Sequence, residues 1–202
     1  MSEQPFPIFT IGHSTHSLDT LAGLLRQHDV TALADVRSSP YSRFNPQFNK
    51  DSLERDLKVR GIQYVFLGRE LGARPTDPAC YENGRVSFPR LAKSELFRSG
   101  LDRVMLGSQK YRIALMCAEK EPLECHRTIL VARALIERGA VVEHILADGR
   151  LESYDGALRR LPNLVGLPSE DMFQTWDQLL AEALSRQAER IAYVDDSVAA
   201  EH

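Results

Sequence analysis

The sequence predicts an α/β domain: a mostly parallel sheet of about five strands with helices on both faces. Three observations carry this. Five short, continuous apolar runs are spaced along the chain, the form strands take when helices cover both sides of a sheet. Segments with helical apolar spacing alternate with them. Most reactive side chains sit where an apolar run ends, and open α/β sheets gather ligands at that edge. A partial or closed barrel is the alternative, which periodicity does not separate from an open sheet.

The elements follow in order. Pro7 to Ile11 is the first apolar run, closed by Gly12-His13-Ser14. Ser17 precedes Leu18, Leu21, Leu24 and Leu25, a helical spacing with Ser17 as its cap. Thr31 to Val36 is a second strand, ending in Asp35-Val36-Arg37, and Ser38 to Asn49, rich in Ser, Pro, Asn and Phe, is a loop. A charged helix starts at Asp51 or Ser52 and stops at Gly61. Ile62 to Leu67 is a third strand. Gly68 to Pro89 reads as a long irregular excursion, of the kind used for lids and binding loops. Phe88 to Leu106 reads as a helix, Arg112 to Met116 as the fourth strand, and Cys125 to Arg138 as the most regular helix, ended by Gly139. Val141 to Leu146 is the fifth strand, which Ala147-Asp148-Gly149 turns into a polar hairpin or edge.

The pattern weakens from Asn163. Trp176 to Ala192 is amphipathic, and the last ten residues are expected to fray. The expected organisation is one α/β domain over residues 1–162 and a helical extension over 163–202. Trp176, Leu179, Leu180 and Ala183 fall on one stripe. It is expected to cover the domain's own sheet, since one helix face is a small area for an obligate dimer; the oligomeric state stays open.

A chain of 202 residues buries a core that needs no disulfide or metal staple. Its 25 basic and 28 acidic residues, net −3, exclude a bulk nucleic-acid signature but allow a local basic pocket. Three scattered cysteines make no disulfide framework. Met1 to Pro5 has no basic region followed by an apolar stretch, and no apolar run approaches the ~18–20 residues that span a bilayer. A reduced, cytoplasmic setting without membrane contact is expected.

Three constellations carry chemistry. After the fourth strand come Cys117 and Glu119, then Cys125-His126-Arg127 at a helix start. A helix start attracts anions and lowers a thiol's pKa, so Cys117 or Cys125 is a candidate nucleophile and His126 a candidate acid/base. The alternative is that both cysteines are small buried hydrophobes. After the second strand, Asp35 and Arg37 form either a structural ion pair or part of an anion site with Ser42 and Arg43. Tyr41, Phe44 and Phe48 either stack on a base or pin that loop. After the first strand, His13 beside Ser14 is an acid/base candidate or a histidine bonded to neighbouring backbone. Cys80 and His16 receive no role.

No cofactor or metal is expected. There is no Cys-x-x-Cys, no His-Glu-x-x-His, no Walker loop and no Gly-x-Gly-x-x-Gly. Cys-x7-Cys-His is not a familiar zinc spacing, and a magnesium site would need scattered carboxylates to converge.

Taken together, Gly12-His13-Ser14, Asp35-Val36-Arg37 with Pro40 and Ser42-Arg43, and Cys117-Ala118-Glu119 followed by Cys125-His126-Arg127 resemble the bacterial family called domain of unknown function 488, from about Ile8 to Asp148. The resemblance implies a compact α/β domain and supplies no activity. A second likeness is to rhodanese domains, which also place an Asp-x-Arg after a strand and a cysteine loop between strand and helix. Here that loop is longer and carries Glu119, Glu121 and Glu124, which would oppose a thiolate.

The leading expectation is an enzyme acting on a small anionic substrate, such as a nucleotide, nucleoside or nucleic-acid lesion. Arg37, Arg43 and Arg127 would bind the anion, assisted by Ser14, Ser42 and Cys125. His13 and His126 would be acid/base groups, with Asp35 and Glu119 as orienting or basic carboxylates. A non-catalytic nucleic-acid or protein binding module and rhodanese-like sulfur transfer are the alternatives.

Overall fold

A computed structural model describes residues 6–168 and 174–195. The chain runs β1 (Ile8–Gly12), α1 (Leu18–Gln27), β2 (Ala32–Asp35), α2 (Lys50–Val59), β3 (Gln63–Phe66), α3 (Gly68–Leu71), β4 (Tyr81–Glu82), β5 (Arg85–Val86), α4 (Phe88–Leu91), α5 (Glu95–Ser108) and β6 (Ile113–Cys117). It continues through a π-helix (Arg127–Ala132), α6 (Arg133–Ile136), β7 (Val142–Ile145), β8 (Leu151–Ser153), α7 (Tyr154–Leu164) and α8 (Trp176–Ile191). The main sheet has the order β3-β2-β6-β1-β7-β8. Its first five strands are parallel, and β8 returns antiparallel to β7. The fold is therefore α/β with an open sheet, not a barrel, and the turn at Ala147–Gly149 makes the expected edge hairpin.

Two apolar layers cover the sheet. In front, Leu21, Leu24 and Leu25 of α1 and Leu53 and Leu57 of α2 pack with Phe9, Ile11, Leu33, Ala114 and Met116. Behind, Phe97, Leu101 and Val104 of α5, Ile129 and Val131 of the π-helix and Leu161 of α7 pack with Ile8, Ala34, Leu115 and Val142. Successive strand residues alternate between these layers, as pleating requires.

Three elements depart from the sequence reading. The helix expected from Phe88 to Leu106 is two helices, because Ser94 takes an extended backbone and its side chain accepts the Phe97 N–H, starting α5 afresh. The excursion from Gly68 to Pro89 folds into α3, a 3-10 turn and the β4–β5 hairpin. The helix expected from Cys125 opens with a six-residue π-helix, a form concentrated at functional sites.

Helix α8 buries Leu179 and Ala183 as expected, whereas Trp176 is exposed. Its Gln187 donates to the Leu123 carbonyl at 2.7 Å. Of the last ten residues, expected to fray, Tyr193 and Asp195 are tied by backbone hydrogen bonds to Val86 and Gly84. Residues 196–202, and the N-terminal stretch 1–5 read for a leader, lie outside the described residues. Among the described residues no helix is long and apolar enough to cross a membrane.

Candidate active site

Strand β6 lies between β2 and β1. Chains leaving β1 and β2 enter α1 and α2 in the front layer, whereas the chain leaving β6 enters the π-helix behind. Neighbouring connections that diverge to opposite faces mark the carboxyl ends of these strands as the place where open α/β sheets bind ligands. The reactive residues sit at these ends, and strand alternation sorts them into two networks.

The front network is built from Asp35, Arg37, His13, Tyr64 and Phe48. Asp35 accepts from Arg37 Nε at 2.9 Å, Arg37 Nη2 at 2.6 Å and the Tyr64 hydroxyl at 2.8 Å. Arg37 also donates to the Phe48 carbonyl. His13 Nδ1 lies 2.8 Å from the Ser14 carbonyl. A carbonyl only accepts, so Nδ1 carries the proton, and Nε2 accepts from Arg37 Nη1 at 3.3 Å. The His13 ring stacks on Phe48, centroids 4.4 Å apart. Burial lowers its pKa to about 4, so it is neutral at pH 7. Tyr64, within the third strand, was missed in the sequence; a lone phenol in an apolar run is the signal that could have found it.

The back network is built from Cys117, Glu119, Cys125, His126 and Arg127. Cys125 Sγ donates to Glu119 Oε2 at 2.9 Å, and His126 Nδ1 lies 3.7 Å from each thiol sulfur. His126 Nε2 donates to the Val36 carbonyl at 3.1 Å. The Arg127 backbone N–H points at Cys125 Sγ at 3.4 Å. Its guanidinium is fully buried and donates to the Glu119 and Lys120 carbonyls. The Arg127 Nε is without a hydrogen-bond partner, and among the described residues no carboxylate pairs with this cation.

These contacts separate the two thiols. The hydrogen bond to Cys125 and burial push Cys117 up. Burial opposes ionisation of Cys125, but the hydrogen bond from Cys117 and the charges of Arg127 and His126 outweigh it and pull Cys125 down. His126 is raised, because the Cys125 charge outweighs its burial.

Only one of the three loop glutamates reaches the thiols. Glu121 caps the Leu123 N–H and pairs with Arg160, and Glu124 pairs with Arg190. Two backbone hydrogen bonds of 2.9 Å, His13 N–H to the Cys117 carbonyl and Ser14 N–H to the Ala118 carbonyl, join the networks. Gly12 makes this possible, since a Cβ there would collide with the Glu119 carbonyl. Ser14 adopts φ 47° to turn away.

The remaining predicted residues lie apart. The Ser42 hydroxyl accepts from Phe44 and Asn45 N–H, fixing its own loop. Arg43 is exposed, with its guanidinium 4.9 Å from the Phe44 ring centroid. Phe48 is buried and pins the loop, whereas Tyr41 and Phe44 face solvent.

His144, in the fifth strand, was also missed. It is buried behind the sheet, Nδ1 2.8 Å from the Thr10 hydroxyl. A polar residue inside an apolar run was its only signal.

A family model described as Domain of unknown function DUF488 matches residues 17–134. No curated protein and no solved structure matches the chain.

Proposed function

This chain belongs to the family described as domain of unknown function DUF488, and we propose that it is an enzyme acting on a small anionic substrate such as a nucleotide, nucleoside or nucleic-acid lesion. One observation carries the reading. Two thiols, an imidazole and a carboxylate, with ligating atoms within 4.8 Å of one another, converge just past the carboxyl end of β6, the edge where open α/β sheets place their sites. Of the four, only Glu119 is exposed, so substrate approaches past Glu119 and Lys120. Cys125, His126 and Glu119 share protons across their contacts, and the buried Arg127 charge favours a thiolate there.

The roles shift from those the sequence suggests. Asp35, Arg37 and His13 hold the strand ends, since their polar atoms bond to each other and to backbone. Arg127 acts by its field and by bracing the loop, because its guanidinium is fully buried. Of the three arginines read for the anion, Arg43 alone is exposed, on the separate loop that carries Ser42 and Phe44. The test is a turnover screen of nucleoside monophosphates, nucleosides and damaged oligonucleotides. Cys125→Ala or Glu119→Gln should reduce turnover on the active class by roughly 100-fold or more, and Arg43→Ala should raise KM. Unchanged turnover in both Cys125→Ala and Glu119→Gln would sink the assignment.

Exposed Tyr41 and Phe44 beside Arg43 favour a second reading, a binding module that stacks bases. It predicts salt-dependent binding of single strands without turnover.

A further inference from the structure

The four side chains of the back network also suit a tetrahedral metal centre. Among the described residues, Cys117 Sγ, Cys125 Sγ, His126 Nδ1 and a Glu119 carboxylate oxygen form the one group of potential ligands within 4.8 Å of one another. We propose that this cluster binds one zinc ion, with Cys117, Cys125 and His126 as buried ligands and Glu119 as the replaceable fourth. The inference deepens the reading above, on which it rests for the cluster being the reactive centre.

Distances carry it first. Zinc–sulfur bonds of about 2.3 Å and zinc–nitrogen bonds of about 2.05 Å at a tetrahedral angle hold sulfur and nitrogen roughly 3.6 Å apart. Both thiol-to-Nδ1 separations are 3.7 Å. Glu119 Oε2, at 2.9 Å from Cys125 Sγ, need only retreat by roughly 0.6 Å to reach tetrahedral spacing, an easy move for an exposed side chain.

The surroundings carry it second. The Val36 carbonyl takes the proton of His126 Nε2, which leaves Nδ1 as a lone pair facing both sulfurs. That is how outer partners fix a ligating histidine. The Arg127 N–H already points at one of these sulfurs. Two thiolates, a neutral imidazole and a carboxylate around Zn²⁺ leave one negative charge, and the buried Arg127 cation offsets it. Among the described residues no carboxylate pairs with this arginine, so the charge of the metal centre complements it. Binding displaces two protons to solvent, that of the Cys117 thiol and the one that Cys125 and His126 share across their contact. Sulfur and imidazole donors select zinc over magnesium or calcium.

Adjacent Cys125 and His126 serve one centre because the backbone changes between them from extended (φ −133°, ψ 141°) to helical (φ −59°, ψ −25°). The ligand set is thus a tertiary pattern, which is why the linear spacing did not announce it. Three buried ligands and one exposed one match a catalytic site, where water or a substrate oxygen takes the fourth position.

The test uses the full chain. Protein produced with zinc chloride and purified without chelator should hold about one zinc per chain by elemental analysis. Metal-free protein titrated with cobalt(II) chloride should develop sulfur-to-cobalt charge-transfer absorption and the intense visible bands of tetrahedral cobalt. Cys125→Ser should weaken zinc binding by at least about 100-fold, the upper end for disturbing even an outer partner. Glu119→Gln should retain the metal, and Cys80→Ser should match the unmutated protein. The cobalt spectrum of the unmutated chain does not depend on any variant folding. Substoichiometric zinc after loading, or bound cobalt without charge transfer, overturns the proposal. Turnover by demonstrably metal-free protein would overturn it while leaving the enzymatic reading intact. One zinc per chain with no turnover in the screen would support it and remove that reading.

Discussion

Asp35 and Arg37, read in the sequence as either an anion site or a structural pair, form a buried ion pair at the end of β2. Both are buried, and the carboxylate takes two guanidinium hydrogen bonds as well as the Tyr64 hydroxyl. Removing one partner strands a buried charge, which costs about 3–5 kcal/mol. Asp35→Ala should therefore lose about that much in urea denaturation, and adding Arg37→Met should recover part of it. A loss below about 1 kcal/mol for Asp35→Ala would place the pair in the weak, solvent-screened class. All three cysteines are buried. Iodoacetamide at pH 7 should label them slowly in the native protein and quickly in denaturant, by mass spectrometry; fast, selective native labelling of Cys117 would contradict the packing. The sequence displayed the reactive residue types but not their partners. Arg37 next to Asp35 fits both an anion site and a brace, and only burial separates the two.

At the scale of elements, the carboxyl end of β1 depends on close backbone approach. A Cβ at Gly12 would meet the Glu119 carbonyl and its backbone, atoms that cannot rotate away. Gly12→Ala should cost at least about 2 kcal/mol and separate β1 from the loop after β6, read as a lower thermal midpoint and faster labelling of Cys125. A neutral Gly12→Ala would show that the loop is not held there. Ser94 restarts the back-layer helix α5, and Ser94→Ala should cost about 1 kcal/mol in denaturation. Most elements were legible, because five apolar runs and their helical partners follow period two and period 3.6. The break at Ser94 and the π-helix were not. A cap inside an apolar pattern leaves the periodicity almost unchanged, and a single π-turn within one apolar run holds the same residue types as an α-helical turn would.

For the whole molecule, the buried histidine behind the sheet couples stability to pH. Burial, reinforced by Arg127 and Arg160, lowers the His144 pKa to about 3. Below its unfolded value near 6.5, the unfolded chain takes up a proton that the folded chain refuses, so stability falls with pH. The loss runs from about pH 6.5 down to about pH 3, at up to about 1.4 kcal/mol per pH unit. His144→Gln, which keeps an acceptor for Thr10, should flatten this slope between pH 6 and about 4 in denaturant titrations; an unchanged slope would assign it to other groups. By itself the sequence determined the fold class, the order of the strands along the chain and the edge where reactive groups collect, because those follow from periodicity and from turn residues. Tertiary structure decided which groups meet. Cys117 and Asp35 both end apolar strands, yet alternation sends one to the back layer and the other to the front. His13, His126 and the two cysteines, all read at one edge of the sheet in the sequence, became a braced front network and a sulfur-rich back centre. That choice depends on sheet order and on which side each connection leaves, and neither is encoded in any local run of residues.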